Sequence, residues 1–214
     1  MNKFKIVPLS IIFLLITTIP ALAATPKMFF AEFRFIHPEI KEGSFQATSR
    51  KLWRIGFKYV RLEEAPDPAQ NIHGLIISNA PDSYIINKYT NSGKHIVDRA
   101  ETTDVHVGVF QSPDLPKEVQ ALEMGHENAF FLKHNAPKVG STIIEGIECD
   151  IYSIIVEGYT LTLIKRKDNG DPLQLGIKKD ELGHEIRYLK YEQNLEPDFK
   201  LFEVPEGIKI IDVN

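Results

Sequence analysis

Residues 50–63 read RKLWRIGFKYVRLE, two short runs separated by a glycine. In the second run, Val60 and Leu62 alternate with charged or aromatic neighbours, and this period of two is typical of a half-buried strand. A glycine between two such runs is a common breaker. We therefore predict two strands, over 44–55 and 58–64, joined by a short link.

The same alternation recurs through the rest of the chain. Turn-forming runs such as 79–82 (NAPD) and 168–172 (DNGDP) interrupt it. Short strands with turns between them at intervals of about 8–12 residues predict an antiparallel sheet or barrel. The further strands are predicted over 29–35, 73–78, 83–89, 94–100, 141–145, 149–157, 159–166, 173–178, 184–192 and 199–204, and a tail follows over 208–213.

One segment departs from the period of two. Leu115, Val119 and Leu122 recur at i, i+4 and i+7, which places them on one face of a helix. Asp114 is a suitable N-cap, and Pro116 fits the first helical turn. We therefore predict a helix that begins after Asp114 and interrupts the strands.

A second helical piece is predicted over 127–133, because Gly125 splits the segment. The two pieces form an insert of about 20 residues by their periodicity. Strands precede and follow the insert, so the chain is predicted to be mainly β, with an α+β architecture. No shift in composition, internal repeat or low-complexity tract marks a second domain.

The first residues have the features of a secretory signal peptide. Lys3 and Lys5 precede an apolar run over 9–19, and the letters ALA follow at 21–23 as an A-x-A cleavage site. The apolar run is shorter than the about 20 residues that a spanning helix needs. We predict a signal peptide over 1–23, and the alternative is an uncleaved membrane anchor.

Cleavage after Ala23 would leave 24–214 as a single domain in the periplasm. The residue after the cut is Ala24 rather than a cysteine, so no lipoprotein anchor is signalled. We expect the mature chain to be a monomer without stable membrane insertion.

Composition and charge exclude several classes of function. The formal net charge is −4 at pH 7 and no basic run is present, so we predict no nucleic-acid partner, because phosphate contacts need clustered Lys and Arg. Hydrophobic residues make up 43% of the chain, which is enough for a core. Cys149 is the only cysteine, which excludes an intramolecular disulfide. Its neighbours Ile147 and Ile151 predict a buried thiol in a strand.

The sequence contains no complete catalytic or metal-binding motif. Residues 126–130 (HENAF) begin like a zinc-protease helix, but Phe130 occupies the place of the second histidine. No G-x-S-x-G elbow and no phosphate-binding glycine loop is present. We therefore predict a protein that is not an enzyme and has no cofactor or metal. An enzyme whose site is assembled only by folding is a further alternative, and it would need histidines to converge on one pocket, namely His73, His95, His106 or His126.

Several segments carry a family resemblance. They are 50–63, with its Leu-Trp strand end, the hairpin-like pair 74–78 and 84–89, then 146–152, and finally 202–208 (FEVPEGI), which has the pattern F-x-x-P-x-G. In this order they resemble the periplasmic lipoprotein-carrier (LolA/LolB-like) superfamily, and in particular its uncharacterised members similar to outer-membrane lipoprotein-sorting proteins. The resemblance covers most of the chain after the leader.

The resemblance implies an unclosed antiparallel β-barrel in which a helical insert caps an apolar concavity that holds an acyl chain. Two departures count against the lid cycle of a dedicated carrier. Such carriers begin with an amphipathic helix, whereas 29–35 is predicted to be a strand. They also have an Arg-Pro just after the Leu-Trp strand end, and that arginine latches the lid. Here Ile55 and Gly56 stand in its place.

These observations predict a periplasmic carrier-like protein that binds a lipid or an acylated protein in an apolar β-lined cavity, with a role in transport and outer-membrane biogenesis. An envelope protein is a further expected partner. The alternative is a protein-interaction or sensor module of the same fold without lipid cargo, which an exposed strand edge or apolar patch would favour. The side chains predicted to line the cavity are those of Phe33, Phe35, Trp53, Tyr84, Ile86, Phe110, Leu122, Phe130 and Phe131.

Overall fold

The computed structural model of the chain describes residues 26–213, apart from residues 42, 100–103, 111 and 181. The signal peptide predicted over 1–23 therefore lies outside the described residues. Within the described ranges, no helix is both long enough and apolar enough to cross a membrane.

Twelve strands in the described part of the chain form one sheet. They are β1 (Met28–Ile36), β2 (Arg50–Ile55), β3 (Tyr59–Glu64), β4 (Gly74–Asn79), β5 (Asp82–Asn87), β6 (Ser92–Val97), β7 (Lys138–Ile144), β8 (Ile147–Val156), β9 (Tyr159–Arg166), β10 (Pro172–Lys179), β11 (Leu182–Leu195) and β12 (Lys209–Val213).

The sheet does not close on itself. Its strand order is β12-β6-β5-β4-β3-β2-β1-β11-β10-β9-β8-β7, so β12 and β7 stand at the two edges. Neighbouring strands are antiparallel except β12 and β6, which are parallel. The prediction of a mainly β, unclosed antiparallel barrel with a helical insert is confirmed.

Two consecutive hairpins are closed by Glu-Gly pairs. Glu145 and Gly146 have φ angles of 51° and 81°, and Glu157 and Gly158 have φ angles of 49° and 82°. Positive φ at both central residues is what a two-residue type I′ turn requires. The turns therefore hold β7, β8 and β9 as an antiparallel meander.

The insert contains two short helices, α1 (Lys117–Gln120) and α2 (Glu127–Lys133). Gly125 lies between them with a φ of 86°, so the predicted break is confirmed. The predicted N-cap is wrong, because α1 has Pro116 at its N-cap and no side chain caps it. Asp114 lies instead in a turn, where its backbone N–H donates to Ser112 Oγ at 3.3 Å.

The C-terminal region differs from the prediction. Residues predicted as a strand over 199–204 form a 3-10 turn at Phe199–Phe202, because the Asp198 side chain accepts a hydrogen bond from the Lys200 N–H and starts the turn. The residues predicted as a tail form β12. Likewise, the predicted strand over 44–55 begins only at β2, because a second 3-10 turn occupies Phe45–Ala47.

Strand alternation divides the apolar side chains between two faces of the sheet. We call the face against which the insert packs the inner face. There Leu52 and Val60 form one core with Leu122 of the insert. The other face, which we call the outer face, carries a second core that includes Leu75 and is covered by Phe202.

Candidate functional site

A cavity of about 740 Å³ lies between the inner face and the segment that leads into α1. Residues of β1, β2, β3, β4, β9, β10 and β11 form its sheet side, and residues 107–110, 112, 114 and 115 contribute to the opposite side. Its described lining residues are Phe33, Phe35, Arg50, Leu62, Glu64, Ile76, Val107, Gly108, Val109, Phe110, Ser112, Asp114, Leu115, Met124, Tyr159, Ile177, Lys179, Asp180 and His184.

The wall of the cavity is predominantly apolar and aromatic. Phe33 and Phe35 are two residues apart on β1, so both point to the inner face, and their rings meet edge to face with centroids 6.2 Å apart. Leu62 and Ile177 project from β3 and β10. A volume of this size falls within the range of about 300–1,000 Å³ that is usual for small-molecule sites. The wall offers a ligand mainly apolar contact.

Charged groups stand among the lining residues beside the aromatic rings. The Arg50 guanidinium lies 4.9 Å from the ring centroid of Phe35 and 5.4 Å from that of Phe45. Its Nε also lies 3.4 Å from Oε1 of Glu64. Lys179 Nζ lies 4.7 Å from the Tyr159 ring centroid. The cavity therefore combines an apolar wall with polar groups attached to it by cation–π contacts.

A buried arginine ties the insert to the sheet. Arg54 is 2% exposed, and its Nη1 donates to the backbone oxygen of Met124 at 3.1 Å. Its Nη2 lies 2.6 Å from Glu123 Oε2, and the other Glu123 oxygen contacts His106 Nδ1. Burial opposes ionisation of Glu123, but the hydrogen bonds from His106 and Arg54 outweigh burial and lower its pKa. The carboxylate is therefore a stable partner for the guanidinium.

Arg54 is a functional candidate that sequence reasoning missed. The resemblance implies a latching arginine at the place that Ile55 and Gly56 occupy, whereas the arginine that contacts the insert is Arg54, one residue earlier in β2. The sequence does indicate this position, because Arg54 is two residues after Leu52 in the same strand and therefore points to the same, inner face. A charged side chain on a buried face needs an opposite charge or hydrogen-bond partners.

A second polar tie holds α2 against β11. Glu127 is 0% exposed, and its carboxyl group accepts hydrogen bonds from the hydroxyls of Tyr188 and Tyr191. The Gly125 N–H donates to the same carboxyl group at 2.9 Å. Burial raises the pKa of Glu127 despite these hydrogen bonds. The insert is thus fastened to the sheet near the break between its helices.

The structure distributes the predicted cavity residues among three places. Phe33, Phe35 and Phe110 line the cavity. Leu122, Phe130 and Phe131 belong to the insert and are buried in the inner core that it forms with the sheet. Trp53, Tyr84 and Ile86 pack on the outer face and do not line the cavity.

Strand parity explains the outer placement. Leu52 points to the inner face, so Trp53, the next residue, points to the outer face, where its ring centroid lies 5.0 Å from that of Phe30. The lining residues that sequence reasoning did not name include Ile76, Tyr159 and Ile177.

The histidines considered for an assembled enzyme site do not share one pocket. His73 lies near Glu63, and His95 contacts Asp82 and Asp212. His106 and His126 lie at another position, beside the Phe57 ring, with ring centroids 5.8 and 5.4 Å from it.

No metal or thiol chemistry is indicated in the part of the chain that the structure describes. Within it, no three His, Cys, Asp or Glu side chains are arranged to hold a metal ion. Cys149 is 0% exposed in β8, as predicted, and burial raises the pKa of its thiol. A buried thiol of this kind behaves as a small apolar side chain.

No protein-family model matches the chain, and no curated protein sequence matches it either. Among solved structures, an uncharacterised conserved protein from Thermus thermophilus is similar, with 8% identity, 88% of this chain and 91% of that chain covered, and a TM-score of 0.50. At this identity the similarity concerns the fold alone.

Two further similar structures have lower TM-scores. MucB in complex with MucA(peri) is 12% identical, with 87% of this chain and 57% of that chain covered and a TM-score of 0.44. A putative outer membrane lipoprotein-sorting protein domain from Vibrio parahaemolyticus is 13% identical, with 82% of this chain and 89% of that chain covered and a TM-score of 0.37. At such scores neither similarity assigns a family, so the resemblance to lipoprotein carriers stays a prediction.

Proposed function

We propose that this chain is a periplasmic, non-enzymatic binding protein that holds the acyl chain of a lipid or an acylated protein between its sheet and its insert. The observation that carries the proposal is the apolar cavity of about 740 Å³. The predicted leader places the mature chain in the envelope, where such ligands occur. The lining includes polar groups such as Arg50 and His184 beside the apolar wall, so a ligand with a polar end is compatible with it.

The driving force for binding is removal of hydrocarbon from water. Each buried CH₂ group contributes about 0.8 kcal/mol. Phe33, Phe35 and Ile177 supply aromatic and branched contacts along the wall. A chain of many methylene groups therefore gains several kcal/mol before the entropy of ordering it is subtracted.

The insert, together with residues 107–110, 112 and 114 that precede it, covers the site. Val109 N–H donates to Leu122 O and Met124 N–H donates to Val107 O, both at 2.9 Å, so the cavity-lining segment is paired with the chain between α1 and α2. Arg54 and Glu127 hold that same region to the sheet. Movement of this cover would open the cavity without breaking the sheet.

A matched pair of variants tests this function. Ile76 lines the cavity and is 37% exposed, whereas its cross-strand partner Ile85 does not line it and is 49% exposed. We expect Ile76→Asn to weaken binding of a fluorescent fatty acid several-fold, and Ile85→Asn to leave binding unchanged. Both changes are at partly exposed positions, so neither should unfold the protein.

Native mass spectrometry of protein purified from the periplasm of a secreting host gives an independent measurement. A lipid-sized mass adduct that is lost from Ile76→Asn supports the proposal. An unliganded parent protein that also fails to bind the fluorescent fatty acid would exclude it.

A protein-interaction or sensor module of the same fold is a second candidate. It is favoured by apolar side chains left exposed on the inner face at the β12 edge, where Ile211 is 66% exposed and Val213 is 44% exposed. This candidate predicts that an envelope protein binds there. Ile211→Asn should then abolish its capture from envelope extracts while leaving fatty-acid binding unaffected.

A further inference from the structure

A smaller cavity of about 400 Å³ adjoins the acyl cavity, and we call it the annex. His184 lines both cavities and lies on β11 opposite Ile177 of β10, so the two spaces meet at the end of this hairpin. The other described residues that line the annex are His37, Glu39, Ile40, Lys41, Ser44 and Gln46.

The annex is lined mainly by polar side chains, most of which can donate hydrogen bonds. The Glu39 N–H donates to His37 Nδ1 at 3.2 Å, so Nδ1 is the acceptor and the proton of the neutral ring resides on Nε2, which can donate to a ligand. Lys41 and Gln46 add an ammonium and an amide group. Ser44 Oγ is buried and has no hydrogen-bond partner in the described part of the chain.

The acidic side chain of the annex does not fill it. Glu39 is the one carboxylate among the described lining residues, and its side chain is 90% exposed. Its Oε2 lies 4.0 Å from His37 Nδ1, which leaves the other ring nitrogen unengaged by this carboxylate. Among the described lining residues, Lys41, His37 and His184 can donate to a ligand, and the single carboxylate is largely exposed to solvent.

We propose that the annex binds the oxyanion headgroup, a phosphate or a carboxylate, of an amphiphile whose acyl chain occupies the larger cavity. This inference rests on the proposed function and adds the chemical class of the ligand's polar end. An oxyanion offers only acceptors, and charge-assisted hydrogen bonds from Lys41 and the histidines match it. The shared residue His184 places the headgroup at the point where the chain would leave the apolar wall.

The test uses the full mature chain and four hexadecyl compounds that differ only in headgroup: a carboxylate, a phosphate monoester, an alcohol and a trimethylammonium. Each displaces a fluorescent fatty acid from the protein. We expect the two oxyanions to bind about tenfold more tightly than the alcohol, because they gain charge-assisted hydrogen bonds. The trimethylammonium compound should bind no better than the alcohol.

Variants locate the effect. Lys41→Gln and His37→Gln, at two residues that line the annex and not the larger cavity, should each reduce the advantage of the oxyanions several-fold and leave the affinity for the alcohol unchanged. Lys200→Gln is the matched control, because Lys200 is exposed on the 3-10 turn at Phe199–Phe202, away from both cavities. Retained affinity for the alcohol shows that each variant is folded.

The outcomes separate the two proposals. Equal affinity for all four compounds would overturn the headgroup assignment and leave the acyl cavity intact. Failure of every compound to bind would overturn the proposed function itself. Inorganic phosphate alone should not perturb the His184 ring signals in NMR at the concentrations where hexadecyl phosphate does. If it does so equally well, the annex is a site for free anions and the amphiphile proposal fails.

Discussion

The inner face of the sheet has two halves that differ in what covers them. Where the insert packs, on β2, β9 and β10, Leu52, Leu163 and Leu175 are each 0% exposed. On β5 and β12, Ile85 is 49% exposed and Ile211 is 66% exposed. Both halves are built from alternating strands with branched apolar side chains on the inner face. The difference shows that burial here comes from the insert rather than from the strands.

The cavity lies at the border between the covered and the uncovered half. Ile76 of β4 lines it, whereas the next inner-face residue across the sheet, Ile85 of β5, does not. The position of the site is therefore set by where the insert ends. Variants that detach or loosen the insert should therefore expose the covered half of the inner face to solvent, as the uncovered half already is.

The largest effect is expected from Arg54→Ala. Removing the guanidinium leaves Glu123 buried beside the insert without its cation, and breaking a buried pair in this way costs about 3–5 kcal/mol. Urea denaturation should show the loss. The double variant Arg54→Met with Glu123→Leu is the control, and it should recover most of the stability because no charge is left unpaired. A double variant as unstable as Arg54→Ala would contradict this explanation.

Leu122→Ser tests how much the packing of the insert on the covered half contributes to stability. Leu122 packs from the insert onto the sheet and is 0% exposed, and truncation of such a residue costs about 2–5 kcal/mol. The matched change in the uncovered half, Ile85→Ser, should stay within about 0.5 kcal/mol, as is usual for exposed positions. Thermal and chemical denaturation measure both. Equal losses would mean that the insert does not bury this half in solution.

The free energy of local opening should differ between the insert and the sheet beneath it, by less than the losses above. The insert has only two short helices, whereas β8 and β9 are paired along their full length. Native-state hydrogen exchange should therefore be faster across 115–133 than across 149–166, because the insert opens locally without global unfolding. Equal protection in both regions would argue against a cover that moves.

The smallest effect concerns the outer face of the sheet, on the strands whose inner face is uncovered. His95 Nδ1 and Nε2 each lie 2.7 Å from a carboxylate oxygen, of Asp212 on β12 and Asp82 on β5 respectively, and the ring stacks on Tyr84. The hydrogen bonds to Asp212 and Asp82 raise the pKa of His95.

The sign of the pH dependence follows from that shift. A histidine whose pKa is higher in the folded chain stabilises it below the unfolded pKa, and this contribution is lost as pH rises through the folded pKa. The difference in stability between the parent and His95→Gln should therefore be largest in mild acid and shrink as pH rises above the usual histidine range. Unfolding midpoints measured across this pH range test the prediction. A difference between the two proteins that does not change with pH would contradict the interaction of His95 with Asp82 and Asp212.

Much of the fold could be predicted from the sequence because its information is local. The period of two in 58–64, the turn at 168–172 and the break at Gly125 depend on neighbouring residues alone. The pairing of β12 with β6 could not be predicted in this way, since Lys209 meets Ser92 across a long stretch of chain. The turn at Phe199–Phe202 was also missed, because its alternation resembles that of a strand.

The site was harder to predict than the fold. Alternation shows that Leu52 and Trp53 face opposite sides, but it does not show which side the insert covers. Trp53, Tyr84 and Ile86 are predicted to line the cavity as large apolar groups, but such groups occur on both faces of the sheet. Face assignment depends on long-range packing of the insert, and the Arg54 contact to Met124 is one such interaction.

The most direct test of the acyl site is photo-crosslinking with a hexadecanoate that carries a diazirine on its alkyl chain. Peptide mapping by mass spectrometry then locates the bound chain. If the alkyl chain occupies the cavity, adducts should form on the peptides that contain Phe35, Val109 and Ile177, and they should be lost in Ile76→Asn. Adducts found instead on the exposed strip of Ile85 and Ile211, or unchanged in Ile76→Asn, would contradict an acyl site beneath the insert.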